Sequence, residues 1–476
     1  MTRLAIRADL LDFTAAPPWG STGLDGVRWR PDHWLLVDGG RIVGALPGDE
    51  PPGEDWQRDD QRGRLLMPGF IDTHVHCPQL DVIASHGKGL LDWLETYTFP
   101  AERRFADPAV AAEGAARFLD ALLAHGTTAA VVFPTVHAVS ADALFAAAAQ
   151  RGMRLMTGKV LMDRHAPDGL RDAPHGEGAT AERACEALIQ RWHGHGRNAY
   201  AVTVRFAVTS TPQQLAMAGG LLARHAGLYM QTHVAENRDE VRWVADLFPQ
   251  ARSYLDVYDQ AGLLNERAVL AHGIWLEPRD RARLRDTGAQ IAFCPGSNLF
   301  LGSGLFDWPA AIQAGHQVSL ATDVGGGTSL SMLRAAADAY KVVALQGSHV
   351  GSQLSAWTAL HAATLGAAQG LGLAHEMGHL GAGAFADLAL WDWAVGPVAT
   401  HRDAVARGDV AGLPAQDLHA RVFAWMLLGD ERNLHRVYVA GRPLHELGPH
   451  GPQPSRTLVA RTAGMGRRFQ TAPDRA

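Results

Sequence analysis

Along this chain, short apolar runs alternate with longer, Ala-rich stretches. The runs at 68–76, 128–133, 154–159, 201–208, 228–234, 268–272, 290–294 and 317–322 read as buried strands. Stretches at 109–125, 141–150, 179–192, 212–225, 238–248, 278–287, 309–314 and 330–345 read as helices. Strand-then-helix units over about 280 residues suit a (β/α)8 barrel in size and rhythm. The barrel starts only near residue 67. Before it the chain is rich in Pro and Gly, with strand-like pieces at 34–37 and 41–45 around Asp38-Gly39-Gly40. A similar texture returns at 387–393 and at 437–439, before Gly441-Arg442-Pro443. The expectation is an α/β chain in three parts. These are a barrel at 67–380, a small β-sandwich domain formed by 1–66 with 381–450, and a surface tail at 451–476.

Composition narrows the partners. The 476 residues are 47% hydrophobic and 19% charged, as in an ordinary globular protein with ample core. A net charge of −6 argues against nucleic acid or an anionic membrane as the main partner. Cys77, Cys185 and Cys294 are an odd, scattered set, which fits a reducing compartment and not a disulfide framework. Arg3, Arg7, Asp9 and Asp12 interrupt the first apolar residues, so no signal peptide is expected. No run of about 18 uncharged apolar residues occurs, so no membrane span is expected and the cytoplasm is the expected location.

In a barrel of this kind, reactive groups sit at the C-terminal ends of strands. The first strand ends in His74 and His76, and residues two apart on a strand share a face. Taken alone, in a chain with 23 His, the pair reads equally well as two polar residues closing a strand. Its companions change that. His233 ends the fifth strand with Glu236 three residues on, His272 ends the sixth, and Asp323 follows the eighth. His74, His76, His233 and Asp323 make a zinc donor set with a position left for water. Glu236 can enter the same mouth as a proton carrier, and His272 can bind the water or the substrate.

This set predicts hydrolysis at an sp2 carbon. A zinc ion lowers the pKa of its water to about 7. Asp323 can accept that water's proton, and Glu236 can pass it to the substrate and leaving group. The expected catalytic residues are therefore Glu236, Asp323 and His272. A second ion would need a bridging carboxylate or modified lysine on the fourth strand, where Val204-Arg205-Phe206 stands instead. One ion per chain is expected. Lys159 on the third strand leaves a second-metal role open, beside its plainer reading as an interior or rim lysine.

Five stretches carry a resemblance. They are 68–76 with Cys77-Pro78-Gln79, then 90–102, then 232–237, then Ser297-Asn298-Leu299-Phe300-Leu301-Gly302-Ser303-Gly304, and lastly 322–331 with Gly325-Gly326-Gly327. Together they resemble the amidohydrolase superfamily and, within it, the guanine deaminase family. The resemblance implies hydrolytic deamination of guanine to xanthine and ammonia, with zinc on His74, His76, His233 and Asp323. It also implies substrate contacts at Gln79, Arg205, Phe206, His272 and Glu236, and a homodimer. The residue types fit independently. Phe206 can stack on a flat base, Arg205 can donate to the O6/N7 edge, and Gln79 can donate and accept. The plainer alternatives are a strand-end salt bridge for Arg205 and barrel packing for Phe206. The stretch 85–105, with Trp93, Tyr97 and Phe99, reads as a mouth cover or subunit contact, or else as a structural helix.

Rival readings remain. His375-Glu376-Met377-Gly378-His379 matches the H-E-x-x-H zinc protease signature, which needs both histidines on one helix face. Gly370, Gly372, Gly378, Gly381 and Gly383 crowd that segment, and each costs a helix about 1 kcal/mol. The zinc deaminases built on P-C-x-x-C are excluded by the absence of that motif. Gly325-Gly326-Gly327 lacks the surroundings of a phosphate loop and reads as a turn giving room beside the metal. A related aminohydrolase acting on cytosine, oxidised purines or chlorinated triazines shares the same zinc shell. A binding-only relative predicts a lost ligand or lost acid, and none is missing.

Overall fold

A computed structural model describes residues 3–87, 89–173, 180–346, 353–408 and 417–446. The expected tail and residues 447–450 lie outside the described residues. The chain begins with β1 (Leu4–Phe13), β2 (Val27–Asp38), β3 (Arg41–Pro47) and β4 (Gln57–Pro68). Then come β5 (Phe70–His76), β6 (Thr127–Phe133), β7 (Arg154–Thr157), β8 (Val160–Leu161) and β9 (Asn198–Val204). These are followed by β10 (Tyr229–Val234), β11 (Ala268–His272), β12 (Gln290–Phe293) and β13 (Gln317–Leu320). The described strands end with β14 (Leu388–Trp391), β15 (Leu434–Val439) and β16 (Arg442–Glu446).

Strands β5-β6-β7-β9-β10-β11-β12-β13 run parallel in that order, with β8 paired to β9. Helices between them cover the outer face and interior side chains fill the inner one, which is why β5, β6, β9, β11 and β12 are buried along their whole length. The barrel closes past the end of β13. Asp323 N–H donates to His74 O at 2.9 Å, and His76 N–H donates to Val324 O at 2.8 Å. The seam is thus stitched by the backbones of three expected metal ligands.

At the opposite end, Ile71, Met156, Tyr229 and Val269 fill the interior against Ala367, Ala368 and Leu371. The helix Leu365–Gly370 carries Ala367 and Ala368, and Leu371 O accepts the Tyr229 hydroxyl at 2.7 Å. The remaining strands form one ladder in the order β16-β15-β14-β4-β1-β2-β3, enclosing Ile6, Leu35, Ile42, Leu66, Leu388 and Tyr438. The N- and C-terminal segments therefore share a sheet. It is bound to the barrel by the Arg197–Asp387 pair, in which Asp387 is buried and Arg197 largely so. Loss of either partner strands a charge, at a cost of about 3–5 kcal/mol.

Two elements depart from the expectation. The third strand splits into β7 and β8 around Gly158, where a Cβ would stand 2.0 Å from Ala201 O, so β9 passes too close for any other residue. The fourth starts at Asn198 and ends at Val204, so Arg205 and Phe206 leave the ladder for a short 3-10 turn, Ala207–Thr209. Residues 85–105 hold helices, Leu90–Trp93 and Phe99–Arg103, and they also cover the mouth. Leu90, Trp93, Leu94 and Phe99 pack there with Val136, Met162, Leu170 and Leu301.

Candidate metal centre and active site

His74, His233, His272 and Asp323 each offer one ligand atom, and these atoms lie within 4.8 Å of one another. His76 stands among them. Its Nε2 is 3.2 Å from His74 Nε2, 3.2 Å from His233 Nε2 and 3.3 Å from Asp323 Oδ1. His74 Nε2 is 3.2 Å from the same Asp323 oxygen. Burial above all pushes His76 down to about 3 and His233 well below its ordinary value, so both imidazoles are neutral. His233 Nδ1 donates to Arg205 O at 2.7 Å, which leaves Nε2 as a bare lone pair. Burial alone would raise Asp323, yet His74 and His76 hold it well below the usual carboxylate range. Neutral nitrogens facing one another and a carboxylate at these distances repel unless a cation lies among them. The donor set fits a divalent metal ion.

The chain is bent to deliver these groups. Ala235, His272 and Asp323 have φ of 47°, 70° and 49°, a left-handed region that costs a non-glycine residue about 1–3 kcal/mol. All three sit where a strand turns out of the barrel. Gly326, facing the same cavity, would place a Cβ 2.7 Å from Ser297 Oγ, so the glycine run does make room beside Asp323.

Glu236 lies beside the cluster, with Oε2 3.5 Å from His272 Nε2. Burial, reinforced by Asp323, pushes its carboxyl up to about 8. Ser303 donates to its Oε1 at 2.9 Å. Its backbone N–H and that of Asn237 donate to Glu240 Oε2 at 3.1 and 3.0 Å. His272 donates from Nδ1 to Asn298 Oδ1 at 2.8 Å, so Nε2 points at Glu236 and, at 3.6 Å, at Asp323.

His76, His233, Asp323 and Glu236 form one side of a cavity. Gln79, Arg205 and Phe206 form another, and Leu90, Trp93 and Leu94 close it from the covering loop. Gln79 cannot turn. Its Oε1 accepts Gly325 N–H at 3.2 Å, and its Nε2 donates to Glu102 Oε1 at 3.2 Å. Arg205 also binds Glu102, with Nη1 at 2.8 and 2.6 Å from the two carboxylate oxygens. The salt-bridge alternative for Arg205 is therefore realised, and the guanidinium lines the cavity as well.

Two sequence features fall outside the site. Lys159 Nζ pairs with Asp172 and donates to Val160 O, and it is not among the cavity's lining residues. His375, Glu376 and His379 lie in turns with no helix, and Glu376 pairs with Arg154 at the opening of β7, the far end of the barrel. That geometry leaves the protease motif without its helix. Glu102, Glu240, Asn298 and Ser303, which hydrogen-bond Arg205, the Glu236 N–H, His272 and the Glu236 carboxyl in turn, are not singled out by the sequence reading. Glu102, Asn298 and Ser303 stand within the resembling stretches, which was the available signal.

Residues 65–444 match the model of the amidohydrolase family. A guanine deaminase of Escherichia coli K12 is 41% identical over 448 residues, covering 94% of this chain and 98% of that protein. The crystal structure of guanine deaminase from Bradyrhizobium japonicum superposes with a TM-score of 0.87 at 32% identity, over 94% of this chain and 100% of that one. A guanine deaminase structure from C. acetobutylicum with guanine bound in the active site gives 0.80 at 25% identity, over 93% and 100%.

Proposed function

This chain belongs to the amidohydrolase family, and we propose that it hydrolyses guanine to xanthine and ammonia. The observation that carries the reading is one cavity in which a cation-ready cluster and Glu236 face a wall of Gln79, Arg205 and Phe206. Zinc is the proposed ion, one per chain, on His74, His76, His233 and Asp323, because three imidazoles and a carboxylate are its donor set. When bound, the ion makes water a competent nucleophile near neutral pH.

The chain's own groups do the rest. Phe206 offers an aromatic face to the base, and Arg205 and Gln79 offer N–H donors to its O6 side. The amino-bearing C2 is thereby turned toward Glu236 and Asp323. Asp323 takes a proton from the attacking water as oxygen bonds to C2. Glu236 gives its proton to the ring nitrogen beside C2, is reloaded with the proton that Asp323 took, and passes it to the departing amine. The C–N bond breaks to release ammonia, and the proton left on the C2 oxygen returns to Glu236 as the carbonyl forms. His272, aimed at both carboxylates, holds the attacking oxygen in line. The covering loop excludes bulk water, which strengthens each of these interactions.

The same reading sets the protein as a homodimer, checked by light scattering. It also places the protein in the cytoplasm, which the free thiols of Cys77, Cys185 and Cys294 support. The test is ammonia release across guanine, 8-oxoguanine, cytosine and adenine. Guanine is expected to exceed each of the others by about 100-fold or more in kcat/KM, since a site built on hydrogen bonds rejects bases that leave its donors unpaired. A clear preference for cytosine or 8-oxoguanine would move the substrate within the family.

A further inference from the structure

Glu102 is fully buried and is not itself among the residues that line the cavity. It projects from the helix Phe99–Arg103 and accepts three hydrogen bonds, two from Arg205 Nη1 and one from Gln79 Nε2. Both partners line the recognition wall. Arg205 is itself 3% exposed, with its guanidinium 5.5 Å from the Phe99 ring centroid. A buried guanidinium with no counter-charge is a strong anion trap. Paired with Glu102, it keeps its remaining N–H donors but shows the cavity little net charge.

We propose that Glu102 is a positioning residue that makes this wall select neutral purines over purine anions. The proposal rests on the guanine reading above and deepens it. Guanine is neutral at ordinary pH. Its deamination product carries an N–H between two carbonyls and loses a proton more readily. A wall with net positive charge would therefore hold the ionised product and slow turnover. A wall neutralised by Glu102 lets it go. Glu102 also fixes the pose, because Gln79 is clamped between it and the Gly325 N–H.

The test compares inhibition by xanthine with inhibition by hypoxanthine, a purine that keeps its proton to higher pH, at one pH unit below and above xanthine's own acid dissociation. His76, His233, Glu236, Glu240 and Asp323 face the same cavity in the unmodified chain and in Glu102→Gln, so the difference in slope between the two isolates the contribution of Glu102. In the unmodified chain, xanthine inhibition relative to hypoxanthine is expected to weaken by about three- to tenfold across the interval. In Glu102→Gln the ratio is expected to stay flat or reverse, with a lower kcat/KM for guanine. Glu102→Asp keeps the charge and shortens the reach, so it should recover the slope while kcat/KM stays low. A slope equal in the unmodified chain and Glu102→Gln overturns the proposal. Should Glu102→Gln fail to fold, a flat or rising ratio in the unmodified chain overturns it alone. Ammonia release from guanine by the unmodified chain is measured first. Its absence contradicts the functional reading, whereas activity with an unchanged slope contradicts only the role of Glu102.

Discussion

Replacing Glu236 by Gln is expected to lower kcat for guanine by about 10²–10⁴-fold, the usual contribution of a positioned proton carrier. KM should stay within about threefold, because binding rests on other side chains. The substitution is nearly isosteric. Ser303 donates to Glu236 Oε1, and an amide oxygen can accept the same bond. Backbone position depends on Glu240, which accepts the N–H groups of residues 236 and 237 and is untouched. What is lost is the exchangeable proton. The burial that raises Glu236 to about 8 keeps that proton on the carboxyl at neutral pH in the metal-free chain, ready for donation. Steady-state kinetics with metal analysis checks this. Retention of more than a tenth of kcat, or loss of the ion, would remove Glu236 from its proposed role.

The second expectation separates ligand from neighbour. His76→Ala removes the imidazole that sits 3.2 Å from two others and 3.3 Å from Asp323. Bound metal should fall from one per chain toward zero after dialysis, with activity falling by more than the 10–100-fold typical of outer-shell changes. His272→Asn should behave differently. His272 is as close to the cluster as a ligand, but its Nε2 also faces Glu236 at 3.5 Å. Its loss should leave the ion in place and lower kcat. If the two variants lose metal equally, His272 belongs in the metal shell and the assignment of its role changes.

Much of this arrangement was legible in the sequence because a parallel barrel strand, buried on both faces, reads as a continuous apolar run. Polar residues at the ends of such runs stand out, which is how His74, His76, His233, His272 and Asp323 were found. The remainder was hidden by physics that leaves no periodic trace. The helix Leu365–Gly370 plugs the barrel floor although Gly366, Gly370 and Gly372 signal a loop, since tertiary burial overrides propensity there. The turn of Arg205 and Phe206 out of β9 depends on a 3-10 helix that apolar content alone does not reveal. Glu102, in a run with Arg103 and Arg104, looks like a solvated surface acid, and only the fold brings Arg205 and Gln79 onto it. The left-handed φ values at Ala235, His272 and Asp323 fall on residues that carry no sign of them.

The central claim is that water replaces the C2 amino group of guanine in this cavity. Its most direct test is mass spectrometry of the product formed from guanine in H2¹⁸O by the purified, metal-loaded chain. The expected result is xanthine carrying one ¹⁸O atom, with one ammonia released per xanthine formed. Guanine recovered unchanged, or a product without the label, would contradict the account.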